Sequence, residues 1–343
     1  MKAWTVSSCG EPIDVMVLSE LAVPDPSDSQ VLVRVLSAAV NFADVLMCRG
    51  LYQVKPEWPF TPGLEVCGEV ITVGAGVSGV SVGDRVLGGT VLPSGGFAEY
   101  ALIEAAELFP APESLDDAEA ASLYIGYQTG WFGLSRRAQL KPGETLLVHA
   151  AAGGVGSAAV QLGKAMGACV IAVATGAAKA GVAGRLGADV VVDRESEDFV
   201  EIVHSVTDGR GADVVYDPVG GDVYAKSTKC IAFEGRILVV GFAGGDIQTA
   251  RLNHALVKNY SILGLHWGLY RRHDRGAVAA CHKALAAMAD TGAVRPLVGA
   301  RHELENLSVG VQQVALGQTV GRVVFEPEAA PQGSRPRREV RAL

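Results

Sequence analysis

Six short apolar runs occupy residues 145–266: TLLVH (145–149), ACVIAVA (168–174), DVVVD (189–193), ADVVYD (212–217), GRILVVG (235–241) and SILGLH (261–266). Between them stand the helix candidates VGSAAVQLGKAMG, AAKAGVAGRLG, EDFVEIVHSVT, DVYAKSTKC and NHALVKN. Runs this apolar, each separated from the next by a helix, must pair in parallel and be covered on both faces. Six of them make a complete doubly wound α/β sheet, and no other feature limits the fold as strongly.

The turn after the first run narrows the choice further. HAAAGGVG (149–156) reads as Ala151-x-Gly153-x-x-Gly156, a dinucleotide fingerprint with Ala in the first glycine slot. Missing side chains let the backbone approach a pyrophosphate, and a helix starting near Val155 aims free N–H groups at that anion. The second run ends in Ala174-Thr175-Gly176-Ala177-Ala178-Lys179, with no acid before Asp189. An acid there would repel a 2′-phosphate, whereas a hydroxyl and an ammonium would hold one. The pattern predicts NADPH rather than NADH, with Thr175 and Lys179 as selectors and Arg194 as a third contact. Lys179 also fits an exposed helix lysine.

At 343 residues, 49% of them apolar, the chain has material for two cores at roughly 150 residues per domain. Residues 1–122 favour strands: QVLVRVLSAAV (30–40), EVCGEVITVG (65–74), GDRVLGG (83–89) and GGFAEYALI, punctuated by Gly and Pro, suggest a small irregular β-barrel. Residues 123–262 are the dinucleotide domain. From 263 to 326 the beat is lost: a helix around AVAACHKALAAMADTG precedes the strands VRPLVGARHEL and VGRVVFEP, which read as a return to the barrel. Residues 327–343, Pro-rich and basic, are expected to be a flexible tail.

A formal charge of -8 argues against a nucleic-acid partner. No run of about 20 apolar residues suggests a membrane span, and MKAWTVSSCG lacks the apolar core of a signal peptide, so a cytoplasmic protein is expected. Cys9, Cys48, Cys67, Cys169, Cys230 and Cys281 form no CxxC pair and read as free, buried or half-buried thiols in a reducing compartment. The sixth run, an edge strand, offers a surface for a homodimer.

Seven segments, NFADVLMCRGLYQ (41–53), PFTPGLEVCGEV (59–70), GDRVLGG (83–89), GGFAEYA (95–101), YQTGW (127–131), LLVHAAAGGVGSAAVQLGKAMGA (146–168) and VGRVVF (320–325), together resemble the medium-chain dehydrogenase/reductase superfamily, and within it the zinc-independent NADPH:quinone oxidoreductase branch. The resemblance implies a GroES-like barrel joined to a Rossmann domain. Where a zinc relative has Gly-His-Glu, this chain has Gly63-Leu64-Glu65, and Asn41 stands where the first cysteine ligand would. The lobe with four structural cysteines is missing too. No metal site is therefore expected, because Leu cannot ligate and Glu65 alone cannot build a three-ligand site.

The resemblance also assigns residues. Asn41 lies near the nicotinamide ribose and amide, with Asp44 on the same segment. Tyr52 and Tyr127 line the cleft, and Thr129 faces the cofactor. Gly153, Gly154, Val155 and Gly156 form the pyrophosphate turn. Phe242 and Ala243 follow the fifth strand at the nicotinamide end, and His266, Trp267 and Gly268 follow the sixth. Arg322 is where the family keeps a basic residue for the cofactor phosphates. From the residues alone, Asn41 also fits a helix cap, Tyr52 and Tyr127 fit barrel-edge packing, and His149 reads as a hydrogen-bonded histidine rather than an acid or base. Residues 264–275 fit a cleft wall or an oligomer contact.

Without a Lewis acid, alkoxide formation has no evident support, whereas an acceptor already activated by conjugation makes a smaller demand. The expectation is an NADPH-dependent reductase acting on a small-molecule conjugated carbonyl, a quinone first, with product protonation from solvent or Tyr52. Two alternatives stand beside it: an enone or enoyl-thioester (acryloyl-CoA-like) reductase, with Arg271, Arg272 and Arg275 at the cleft mouth, and a non-catalytic NADPH-binding protein.

Overall fold

The computed structural model describes residues 1–326, so the expected flexible tail, 327–343, lies outside the described residues. β1 (Lys2–Val6) and β2 (Met16–Glu20) form an antiparallel hairpin around a single helical turn, α1 (Pro12–Val15). β3 (Gln30–Ala39), β4 (Glu65–Val73), β5 (Arg85–Thr90) and β6 (Tyr100–Pro110) follow, each pairing antiparallel with the next. β6 also pairs with β3, so the sheet curls back on itself into a small barrel. Register shifts at Leu32/Val33 and Val35/Ser37 bend β3 enough to serve both neighbours. Its core is built from inward-facing residues such as Val31, Val33, Val35, Val66, Val70 and Ile103.

Helices that the strand-rich reading did not anticipate interrupt this region: α2 (Phe42–Cys48), α3 (Asp117–Ala121) and α4 (Tyr124–Trp131). The second sheet comprises β7 (Thr145–Val148), β8 (Cys169–Ala174), β9 (Val190–Asp193), β10 (Ala212–Asp217), β11 (Ile231–Val239) and β12 (Ser261–Gly264). Its order is β12-β11-β10-β7-β8-β9, all parallel, with crossover helices α5 (Gly154–Ala165), α6 (Ala177–Arg185), α7 (Phe199–Val206), α8 (Asp222–Ser227) and α9 (Leu252–Lys258). This is the expected doubly wound sheet, with the order reversing beside β7, where such folds open a crevice for ligands.

After α10 (Gly268–His273) and α11 (Arg275–Asp290), β13 (Val298–His302) and β14 (Arg322–Phe325) extend the barrel sheet, with α12 (Leu307–Ala315) between them. This return brings the start of β14 against the glycine turn: the Gly321 N–H donates to the Ala152 carbonyl at 2.6 Å. Cys48, Cys169, Cys230 and Cys281 are free thiols, buried or half-buried as expected, whereas Cys9 is free but exposed.

Candidate functional site

The glycine turn is a cradle with a defined shape. Ala150 takes a left-handed conformation (φ 48°), which reverses the chain after β7, and the Gly153 N–H closes the turn on the Ala150 carbonyl at 2.9 Å. A Cβ on Gly156 would collide with the Ala150 carbonyl, so the third glycine is needed to bring helix and turn together. The N-terminus of α5 has no side-chain cap, leaving its first N–H groups free for an anion. A Cβ on Gly154 would meet Cδ and Nη1 of Arg322, both at 3.0 Å.

Arg322 ties this turn to the barrel. It is 4% exposed, it pairs with Glu65, and its Nη1 and Nη2 each donate to Asn41 Oδ1 at 3.1 Å. Its Nε is buried with no partner among the described residues. Glu65 is wholly buried and also accepts from Asn41 Nδ2 (3.0 Å) and from the Ile125 N–H (2.7 Å). Burial pushes its carboxyl up, and the guanidinium and these donors pull against that. Asn41 occupies the N-cap position of α2, but its side chain is spent on Glu65 and Arg322. Asp44 accepts from the N–H groups of Asn41 (2.8 Å) and Gly63 (3.0 Å), pinning the start of α2 to the Gly63-Leu64-Glu65 turn. Burial raises its pKa to about 7, against the pull of those two bonds.

Next to Glu65, the barrel residue Gly89 leaves room for Tyr124 and Arg271, whose atoms stand 3.0 and 3.1 Å from where its Cβ would be. Arg271 pairs with Glu107 and lies over the Trp267 ring at 5.9 Å. Tyr52 is partly buried, within electrostatic reach of Asp44 and Arg271. Tyr127 does not line the cleft: it is 1% exposed within the core, because α4 turns that face toward α5. Burial pushes its phenol well above the usual range. Trp267 is likewise committed to the interior, with its ring edge-on to Tyr124 and its N–H donated to Gln128 at 3.3 Å. Thr129 is buried on α4, His266 is exposed with Nε2 near Gly268, and Phe242 packs over Gly220 while the Ala243 N–H bonds the Pro218 carbonyl.

On the other side of the turn lies a cavity of about 250 Å³. Its buried walls include His149, Val173 and Phe199, and its exposed rim carries Thr175, Arg194 and Lys226. Lys179 is absent from that wall; its ammonium donates to the Gly317 carbonyl at 2.7 Å. Lys226, on α8, is a cation the sequence reading missed, because only the fold brings it beside Arg194. Nor is the end of β8 free of acid in space. Asp193 Oδ1 accepts the Gly176 N–H (2.8 Å), the Glu195 carboxylate stands against Gly176, and Glu197, Asp198 and Asp222 also border the cavity.

Residues 154–289 match the family model described as zinc-binding dehydrogenase, and residues 27–113 match the alcohol dehydrogenase GroES-like domain. The quinone oxidoreductase-like protein 2 homolog of Nematostella vectensis is 38% identical over 325 residues, covering 94% of this chain and 88% of that protein. The chain belongs to the quinone oxidoreductase family of medium-chain dehydrogenases/reductases. Among solved structures, the quinone oxidoreductase of Pseudomonas syringae pv. Tomato has a TM-score of 0.87 at 31% identity, covering 95% of this chain and 99% of that one. Escherichia coli quinone oxidoreductase complexed with NADPH has a TM-score of 0.88 at 28% identity, covering 95% and 100%. In this member of the quinone oxidoreductase family Leu64 packs against the barrel core, and Glu65 faces a guanidinium. Among the described residues no group of three or more His, Cys, Asp or Glu could hold a metal ion.

Proposed function

We propose that the protein is an NADPH-dependent reductase that delivers hydride to a quinone or similar conjugated carbonyl without zinc. The observation that carries this reading is Arg322: one buried guanidinium, with an unpartnered Nε, faces the glycine turn and at the same time neutralises Glu65. The uncapped α5 N-terminus and Arg322 suit a pyrophosphate, and Thr175, Arg194 and Lys226 suit a phosphorylated ribose against the repulsion of Glu197, Asp198 and Asp222 on the same cavity. The NADPH held by the Escherichia coli neighbour supports the same choice.

When bound, the dihydronicotinamide supplies hydride from its C4. This chain's own residues orient the ring: Asn41, fixed by Glu65 and Arg322, presents a rigid amide. Leu64 and Asn41 give no metal-ligating set, and the acceptor's own conjugation takes over the Lewis acid's task. Tyr52, partly buried and with its phenol raised by burial, stays protonated and can hold a proton near the cleft. Arg271 is engaged by Glu107, which leaves only Arg272 and Arg275 of the three arginines for an acyl thioester's phosphates and favours the quinone reading.

Titrating NADPH and NADH into the protein tests the cofactor claim. NADPH should bind at least about tenfold more tightly, the worth of roughly one charge-assisted contact. Equal affinities would overturn it, and stoichiometric zinc in purified protein would overturn the metal-free reading.

A homodimer through β12 belongs to the same proposal. Among the described residues that strand has no partner on its outer side, and Leu252, Leu256 and Val257 of α9 beside it are each at least 75% exposed. A twofold axis would pair the two edges and cover both apolar faces.

A further inference from the structure

His149 ends the first apolar run of the doubly wound sheet and is 2% exposed, yet it forms part of the cavity wall. The cavity is graded: Val173 and Phe199 are buried apolar walls, whereas Thr175, Arg194 and Lys226 sit at the exposed rim. Such a gradient suits a flat base in the depth and a ribose at the mouth, where Arg194 and Lys226 stand among Glu197, Asp198 and Asp222.

The hydrogen bonds around His149 favour one tautomer. Ser227 Oγ–H donates to the Val223 carbonyl at 2.8 Å, so the same oxygen can only accept from His149 Nε2–H, also at 2.8 Å. Nδ1 is left as an acceptor, and the ring's one side-chain hydrogen bond among the described residues is the one through Nε2. The ring edge against Phe199, centroids 4.9 Å apart, holds the orientation. Burial and the nearby Arg194 lower the pKa to about 3, so near neutral pH the ring presents a lone pair and not a second N–H.

We propose that His149 reads the base of the cofactor, accepting a hydrogen bond from the exocyclic amino group of adenine and disfavouring a purine with an oxo group there. The inference rests on the dinucleotide reading above. An oxo group would set two acceptors face to face and leave both unpaired in a buried slot.

Calorimetric titration with reduced NADPH and its hypoxanthine analogue tests it. The wild-type protein should bind the analogue about tenfold more weakly. His149→Phe keeps the ring contact with Phe199 but removes the acceptor, and should bring the two affinities within about twofold by weakening NADPH. Equal binding of both by the wild type, or an undiminished preference in His149→Phe, would overturn the proposal. Should that variant fail to fold, the two wild-type titrations still decide. Failure of the wild type to bind NADPH at all would instead overturn the dinucleotide reading.

Discussion

Arg322 and Asp44 show how much depends on single side chains where the two sheets meet. Arg322→Met strands Glu65 as a buried carboxylate without a counter-charge, which should cost about 3–5 kcal/mol in urea unfolding and weaken NADPH binding. An unfolding midpoint like the wild type's would mean that the pair is not what holds Glu65. Asp44 carries a pH signature. Its folded pKa, about 7, lies above the unfolded 3.8, so its stabilising contribution is complete below 3.8 and is lost as pH rises through about 7. The stability difference between wild type and Asp44→Asn should therefore fall across that window and level off above it; a flat or rising difference would contradict the buried placement. Neither role was legible in the residues alone. The resemblance put Asn41, Asp44 and Arg322 at the cofactor, but Glu65 entered only as a leftover zinc-site residue, and its pairing with Arg322 spans most of the chain.

Among the elements, the parallel strands were the easiest to read, because a strand covered on both faces is a continuous apolar run. α4 was the hardest. YIGYQTGW has two glycines, two tyrosines and no amphipathic stripe, since nearly every side of the helix is buried. Its glycines serve close packing on α5: a Cβ on Gly130 would stand 2.7 Å from Leu162 Cδ1. The resemblance had put Tyr127 on the cleft wall, whereas α4 buries it in the core. The strand-end acids were missed because they come from elsewhere in the fold: Asp193 ends the neighbouring β9 and Glu195 lies in the turn after it. The start of α5 gives the sharpest element-scale prediction. Gly156→Ala drives a methyl into the Ala150 carbonyl and should destabilise the fold by about 1–3 kcal/mol in chemical denaturation, while loosening NADPH. A neutral outcome would mean that the turn has slack the structure does not show.

At the scale of the whole molecule, the barrel and the doubly wound sheet are joined by the returning chain, whose Gly321 bonds the glycine turn and whose Arg322 reaches Glu65. The crevice between the sheets is thus lined from both sides before any ligand enters. The exposed apolar face of α9 adds a second surface: Leu256→Asp should turn a dimer into a monomer in light scattering, and an already monomeric wild type at micromolar concentration would remove the dimer from the account. The central claim is hydride delivery from NADPH without a metal. Its most direct test is NADPH oxidation by chelator-treated protein against a quinone, an alkenal and an acryloyl thioester. Turnover with the quinone, undiminished by the chelator, is the expected result. No turnover with any acceptor, or activity that vanishes on chelation and returns with zinc, would contradict it.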